Sequence, residues 1–164
     1  MRVAAWAAAV VLLLGGCAGA AKTSDERDEL CPQLTAFANA DPTGARHSVR
    51  LGNDWGGQFA PRENPDDFVM AYKTCDHDGY SPGKTLCDYL MENTSTEFPV
   101  INMRRAMSCF GMHAAGLSPT DDDKVPSKAR SRRIEGNRLN SPIEVDLAHS
   151  TDEHPSVLTI IVGR

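Results

Sequence analysis

Residues 143–162, with the sequence IEVDLAHSTDEHPSVLTIIV, decide the fold class of this chain. At its start, Ile143, Val145 and Leu147 alternate with acidic side chains, which predicts a strand with one face in water. Residues 157–162 are predominantly apolar, which is typical of a central, buried strand. The polar stretch between them fits a hairpin loop, so the two strands are expected to be antiparallel neighbours.

Two more strands are predicted upstream. Residues 46–55 alternate between apolar and polar side chains, which indicates a half-buried strand. A loop rich in glycine and proline then leads to residues 67–75, which predict the second of these strands. The inward side of the first strand holds His47, Val49, Leu51 and Trp55, and one face of the second holds Phe68, Met70 and Tyr72.

Three helices are predicted from proline positions and apolar spacing. Pro32 fits the first turn of a helix over residues 31–39. Ser81-Pro82 fits an N-cap followed by the first helical residue, which opens a helix over residues 81–93. Pro99 begins a third helix, which carries an apolar stripe. This order of elements predicts an α+β fold, a mainly antiparallel four-stranded sheet with about three helices packed on one face.

The chain is long enough for one domain with a real core. Residues 31–164 are expected to form that domain, and the small, polar residues 17–30 a tether in front of it. Residues 112–141 contain acidic and basic runs, prolines, serines and few large apolar side chains. That composition predicts a long mobile loop.

The N-terminus has the pattern of a secretory signal. Arg2 is followed by an apolar run over residues 3–14, which is too short to cross a hydrocarbon core of about 30 Å as a helix. The run ends in Leu14-Gly15-Gly16-Cys17, which resembles the lipobox of bacterial lipoproteins. The alternative is an ordinary signal peptide that has a cysteine near its end by chance.

This resemblance covers residues 1–17 and does not extend into residues 31–164, where no family is recognised. It implies that residues 1–16 are a signal peptide that is removed, and that Cys17 carries a lipid that anchors the protein in the cell envelope. Ala18 after the cysteine, in place of aspartate, implies delivery to the outer membrane. The lipoprotein is expected to face the periplasm. The alternative, the outer side of the outer membrane, stays open at this point.

Four cysteines remain once Cys17 is assigned to lipid, and an even number in an oxidising compartment predicts two disulfides. Three pairings are possible among Cys31, Cys75, Cys87 and Cys109. Pairing of Cys31 with Cys75 and of Cys87 with Cys109 is favoured, because the second bond would link two neighbouring helices. A zinc site is the alternative, but the chain has no C-x-x-C motif.

The net charge of the chain is −5 at pH 7. An acidic surface argues against nucleic-acid binding, which needs a basic footprint. It suits a cationic protein partner. The predicted partners are therefore the membrane, through the lipid anchor, and a protein.

Three histidines are the candidates for a metal site. His77 lies between two aspartates after a strand, where ordinary turn chemistry is favoured and an acid–base or metal site is the alternative. His149 and His154 flank residues 150–153, whose carboxylates would complete a site for a divalent metal. A solvated hairpin turn is favoured there. No partner is visible for His47.

No cofactor is predicted. The sequence has no H-E-x-x-H, no phosphate-binding G-x-x-x-x-G-K-[ST] and no G-x-G-x-x-G. Cysteines held in disulfides also lack the thiolate that a nucleophile needs. An enzyme is therefore not the favoured hypothesis.

The candidate binding residues are an aromatic side chain and a pair of arginines. Trp55 stands beside Gly56-Gly57 at a strand end, which indicates a packed corner or, as the alternative, an exposed contact. Arg104-Arg105 and the basic residues between 124 and 133 would contact anionic headgroups or lipopolysaccharide phosphates. A solvated surface is favoured for these basic residues.

A protein-binding module anchored in the envelope, of the inhibitor or immunity type, is the favoured function. Small size, disulfides and an acidic surface fit recognition by a rigid domain. A structural or envelope-maintenance lipoprotein is one alternative. A metal-dependent periplasmic enzyme that uses His77, or His149 with His154, is the other.

Overall fold

The computed structural model describes residues 29–64, 66–112 and 127–164. The predicted signal peptide, Cys17 and most of the predicted tether lie outside these ranges. The described residues form α1 (Leu30–Asn39), β1 (His47–Trp55), β2 (Ala71–Asp76), α2 (Ser81–Asn93), α3 (Pro99–Cys109), β3 (Lys128–Ile134), β4 (Asn137–Ala148) and β5 (Ser156–Val162). None of the described helices is both long and apolar enough to cross a membrane.

The strands form one sheet in the order β2-β1-β5-β4-β3, and every neighbouring pair is antiparallel. The α+β class, the hairpin of β4 with β5 and the central place of β5 are as predicted. The sheet has five strands among the described residues, so the prediction of four is corrected. The additional strand is β3.

Strand β3 lies inside the segment predicted to be a mobile loop, residues 112–141, of which residues 113–126 are outside the described ranges. It is an edge strand on which Lys128 and Arg130 are paired with acidic residues of β4, and Lys128 Nζ lies 3.1 Å from Glu144 Oε1. A β-bulge between Ser131 and Arg133 breaks the alternation with period two. The apolar alternation by which strands are predicted is therefore missing from this sequence.

The turn from β3 to β4 is also a hairpin turn. Glu135 and Gly136 have φ values of 48° and 81°. Two consecutive residues with positive φ are typical of a type I′ turn, whose twist matches that of antiparallel strands. The dipeptide joins β3 to β4, and β4 begins at Asn137, so residues 128–141 of the predicted loop belong to this hairpin instead.

The core lies on one face of the sheet, between the strands and the three helices. Along β5, Leu158, Ile160 and Val162 are buried, whereas Thr159 and Ile161 are half-buried on the opposite face. β5 is therefore central, and the three described helices cover one of its faces. The helices contribute the buried side chains Leu34, Phe37, Ala38, Leu86, Leu90, Val100, Met103 and Met107 to this core.

The three predicted helices are confirmed; the bounds predicted for the first two differ by at most one residue, and the third begins at Pro99 as predicted. The predicted tether is correspondingly one residue too long, because Leu30 is already helical and buried. β2 is shorter than predicted and begins at Ala71. Phe68 and Met70 precede it and are exposed.

The four domain cysteines form two disulfides, as predicted, but the favoured pairing was wrong. Cys31 is bonded to Cys109 across a Cα–Cα distance of 5.2 Å, and Cys75 to Cys87 across 5.6 Å. The physical reason is the direction of the helices. Cys87 faces β2, on which Cys75 lies, while the end of α3 meets the start of α1.

Candidate functional site

A cavity of about 450 Å³ lies at the end of the sheet where β1 stops and β5 begins. Its lining comes from three segments, residues 53–59, 96–100 and 149–156. A volume between about 300 and 1,000 Å³ is typical of ligand-binding sites. The cavity is the candidate functional site.

Two exposed aromatic side chains stand at this cavity. Trp55 is 51% exposed and Phe98 is 49% exposed, and both line the cavity. Trp55 lies at the end of β1, on the strand face that buries Val49 and Leu51. The favoured packed corner at Trp55 was therefore wrong, and the exposed contact, which was the alternative, describes its position.

The loop after Trp55 is held by a buried carboxylate. Asp54 is 5% exposed, and its two oxygens accept hydrogen bonds from the backbone N–H groups of Gln58 at 3.2 Å and Phe59 at 2.7 Å. Gly57 has a φ of +67°, and a Cβ there would lie 1.7 Å from the carbonyl oxygen of Val69. Glycine is therefore required at this position, and the loop is fixed against the segment that precedes β2.

Phe98 is positioned by a buried amide at the start of α3. The side chain of Asn102 accepts a hydrogen bond from the Ser95 N–H at 3.0 Å and donates one to the Ser95 carbonyl at 2.8 Å. The Ser95 hydroxyl in turn accepts a bond from the N–H of Phe98 at 2.9 Å. Asn102 is fully buried, so this network holds the turn that presents Phe98.

Asn53 supplies a buried polar group in the wall of the cavity. The residue is 3% exposed, and its side-chain N–H donates to the carbonyl of Leu51 at 3.3 Å. Its Oδ1 atom has no hydrogen-bond partner within the part of the chain that the structure describes. Leaving a buried acceptor unpaired costs about 1–3 kcal/mol. Oδ1 itself has almost no exposed surface, so a ligand in the cavity does not reach it in this arrangement.

The charges around the cavity are acidic. Asp54, Glu97 and Asp152 line it, and its lining within the described ranges includes no lysine or arginine. Gln58 donates from its side chain to the carbonyl of Asp152 at 3.1 Å, which ties the β4–β5 loop to the loop after β1. The lining therefore favours a positively charged ligand.

A second polar cluster lies near the start of β1. His47 Nε2 is 2.8 Å from Asp41 Oδ2, and its ring stacks on that of Tyr80. The Thr43 hydroxyl, the His47 imidazole and the Thr43 N–H, in that order of effect, lower the pKa of Asp41 to about 2. The sequence gave His47 no partner. Both partners come from other segments.

The three histidines proposed for metal binding are not brought together. His77 follows β2, beside the first half of β1, while His149 and His154 lie in the loop beyond the other end of β1. Within residues 29–64, 66–112 and 127–164, no group of three His, Cys, Asp or Glu side chains is placed to hold a metal ion. His149 nevertheless lines the candidate cavity.

The arginine pair on α3 has different surroundings from those expected. Arg105 donates to the Tyr89 hydroxyl at 3.2 Å and to the carbonyl of Asn93, so it links α3 to α2. Arg104 is half-buried on the same helix. Neither arginine lines the candidate cavity.

Sequence reasoning missed one motif match. Residues 79–83 read GYSPG, which fits the G-x-S-x-G pattern of a serine nucleophile between a strand and a helix. In the structure Ser81 is the first residue of α2, and positive φ values occur at Asp78 and Gly79, not at the serine. The strained turn of a nucleophile elbow is therefore not formed at Ser81.

No protein-family model matches this chain, and no curated protein or solved structure matches it at a significant level.

Proposed function

We propose that this chain is an envelope-anchored lipoprotein that acts as a protein-binding module of the inhibitor or immunity type. The observation that carries the proposal is the pair of aromatic side chains at the candidate cavity, Trp55 and Phe98, both about half exposed. Aromatic anchors beside a pocket are typical of the residues that dominate protein–protein binding energy.

Rigidity of the scaffold supports the proposal. The disulfide between Cys31 and Cys109 links α1 to α3, whose first turn presents Phe98, and that between Cys75 and Cys87 links β2 to α2. A binding surface that is ordered before contact loses less conformational entropy on association. Recognition by this end of the molecule therefore needs little rearrangement.

The anchor rests on the lipobox resemblance at Leu14-Gly15-Gly16-Cys17. In cells supplied with an alkyne-labelled palmitate, the chain is expected to take up label and to lose the mass of residues 1–16. Cys17→Ser is expected to abolish both changes. Recovery of an unshortened chain with Cys17 as a free thiol contradicts the anchor, and fractionation of the labelled chain locates it in the outer membrane or elsewhere.

Site-directed photo-cross-linking tests the binding surface. With p-benzoylphenylalanine in place of Phe98, cross-linking in intact cells is expected to give one defined protein adduct. The matched control carries the same residue in place of Lys84, an exposed position on α2 outside the cavity. Adding Trp55→Ala to the Phe98 chain is expected to reduce adduct yield about tenfold, as for a central binding residue. No adduct from position 98, or an equal adduct from position 84, contradicts the proposal.

Deletion of the gene separates an inhibitor from an envelope scaffold. An inhibitor or immunity protein predicts that the deleted strain becomes sensitive to one toxic enzyme, the protein captured from position 98. A scaffold predicts a general envelope defect, such as leakage of periplasmic protein, with no such selective sensitivity.

A further inference from the structure

We propose that the cavity binds the guanidinium group of an arginine side chain presented by the partner protein. This inference rests on the proposed function and assigns the chemistry of its contact. Two independent features of the cavity point to the same ligand. They are an excess of carboxylates and two exposed aromatic rings.

The exposed acceptors of the lining include the carboxylates of Glu97 and Asp152. A ligand group that meets a carboxylate must be a hydrogen-bond donor. An arginine side chain carries five N–H donors and no acceptor.

The charge of the lining sets the sign of the ligand. The oxygens of Asp54 accept hydrogen bonds from the backbone of residues 58 and 59. Glu97 and Asp152 are exposed, and within the described residues neither forms an ion pair. No lysine or arginine of the described lining offsets these carboxylates. A cation is therefore attracted to the mouth of the cavity, and an anion is repelled.

The aromatic rings favour a guanidinium group over an ammonium ion. A guanidinium is planar and weakly hydrated, and it stacks on an aromatic face while its edge donates hydrogen bonds. Trp55 and Phe98 supply such faces at the same cavity. The volume of about 450 Å³ also leaves room for the apolar stem of the arginine.

A titration of the purified full-length chain with N-acetyl-arginine amide tests this inference. The indole N–H signal of Trp55, assigned by its loss in Trp55→Phe, is expected to shift with saturation. The neutral analogue N-acetyl-citrulline amide has nearly the same shape and is expected to bind about tenfold more weakly. The lysine analogue is expected to lie between them, and added salt to weaken the arginine complex.

A double variant locates the interaction. Glu97→Gln with Asp152→Asn removes the two exposed carboxylates of the lining and is expected to weaken arginine binding at least about fivefold. Glu92→Gln removes an exposed carboxylate on α2 outside the cavity and is the matched control, with no change expected.

Several outcomes overturn the inference. Equal binding of the citrulline and arginine compounds removes the role of charge, and unchanged binding in the double variant removes the role of Glu97 and Asp152. Spermidine binding at least about tenfold tighter than the arginine compound assigns the cavity to a free polyamine instead. If cross-linking from position 98 succeeds while the arginine compound does not bind, the proposed function stands and this inference fails. If the arginine compound binds while cross-linking from position 98 gives no adduct, the proposed function fails and the preference of the cavity for a guanidinium group stands.

Discussion

The imidazole ring of His47 stacks on the phenol ring of Tyr80, with ring centroids 3.6 Å apart and planes 5° from parallel. Tyr80 also contacts the buried ring of Phe37 at a centroid distance of 6.0 Å. Asp41 binds the same imidazole through its carboxylate. The start of β1 is thereby joined to α1 and to the beginning of α2.

Loss of this stack is expected to destabilise the domain. Tyr80→Ala removes the ring that joins His47 to Phe37 and is expected to lower the free energy of unfolding by about 1–3 kcal/mol. Tyr80→Phe keeps the ring and is the control, with a much smaller loss. Denaturant unfolding of both variants measures the difference. Equal losses in the two variants would show that the hydroxyl, and not the ring, carries the interaction.

Asp41 predicts a specific dependence of stability on pH. Its folded-state pKa is depressed from 3.8 to about 2, so its ionised form stabilises the fold above the ordinary pKa. That contribution is lost as the pH falls through the folded value. Asp41→Asn is therefore expected to melt below the wild type near neutral pH, and the gap is expected to close as the pH falls from about 4 to about 2. Melting temperatures of both proteins across this pH range measure the difference, and Asp66→Asn is the exposed control. A difference in melting temperature that does not change with pH would contradict the role of ionised Asp41.

Neighbouring isoleucines on β5 test the one-sided core. Ile160 is 1% exposed beneath the helices, and Ile160→Ala is expected to cost about 2–5 kcal/mol of unfolding free energy. Ile161 is half-buried on the face of the sheet opposite the three helices, so Ile161→Ala is expected to cost about 0.5–1.5 kcal/mol. The two variants are a matched comparison because both replace an isoleucine of β5 by alanine. If the two costs are equal, both faces are covered in solution.

The two disulfides are expected to contribute unequally. The bond between Cys31 and Cys109 spans a sequence separation of 78, and that between Cys75 and Cys87 one of 12. From loop-closure entropy, their removal is expected to cost about 4.5 and about 3 kcal/mol. Paired Cys→Ala variants in denaturant unfolding give both values. Peptide mapping without reduction checks the pairing, and a peptide that joins Cys87 to Cys109 would contradict it.

Much of the fold was predictable because its signals are local. Pro82 and Pro99 mark helix starts within one turn, and the alternation of residues 143–147 is read from a few neighbours. β3 escaped prediction because an edge strand with a bulge does not need apolar alternation. Lys128 forms ion pairs with Glu144 and Asp146 on β4, and this pairing exists only once the sheet forms.

The candidate cavity was less predictable than the fold. Trp55 was recognised as a candidate binding residue, but neither Asn53 nor Phe98 stood out in the sequence. Asn53 is one of the buried residues of β1. Phe98 lies in a turn that the side chain of Asn102 holds through two hydrogen bonds to Ser95. Their convergence depends on α3 packing against the strands beside the end of β1.

By itself the sequence determined the α+β class, the three helices, the β4–β5 hairpin and the pairing of all four domain cysteines into disulfides. These properties follow from periodicity, proline positions and cysteine number, which act over short distances or are simple counts. Only the tertiary structure decided that Cys31 bonds to Cys109, that β3 joins the sheet, and that Asn53, Trp55 and Phe98 meet at one cavity. Each of these depends on distances between segments far apart in the chain, which are set by how the helices pack on the sheet.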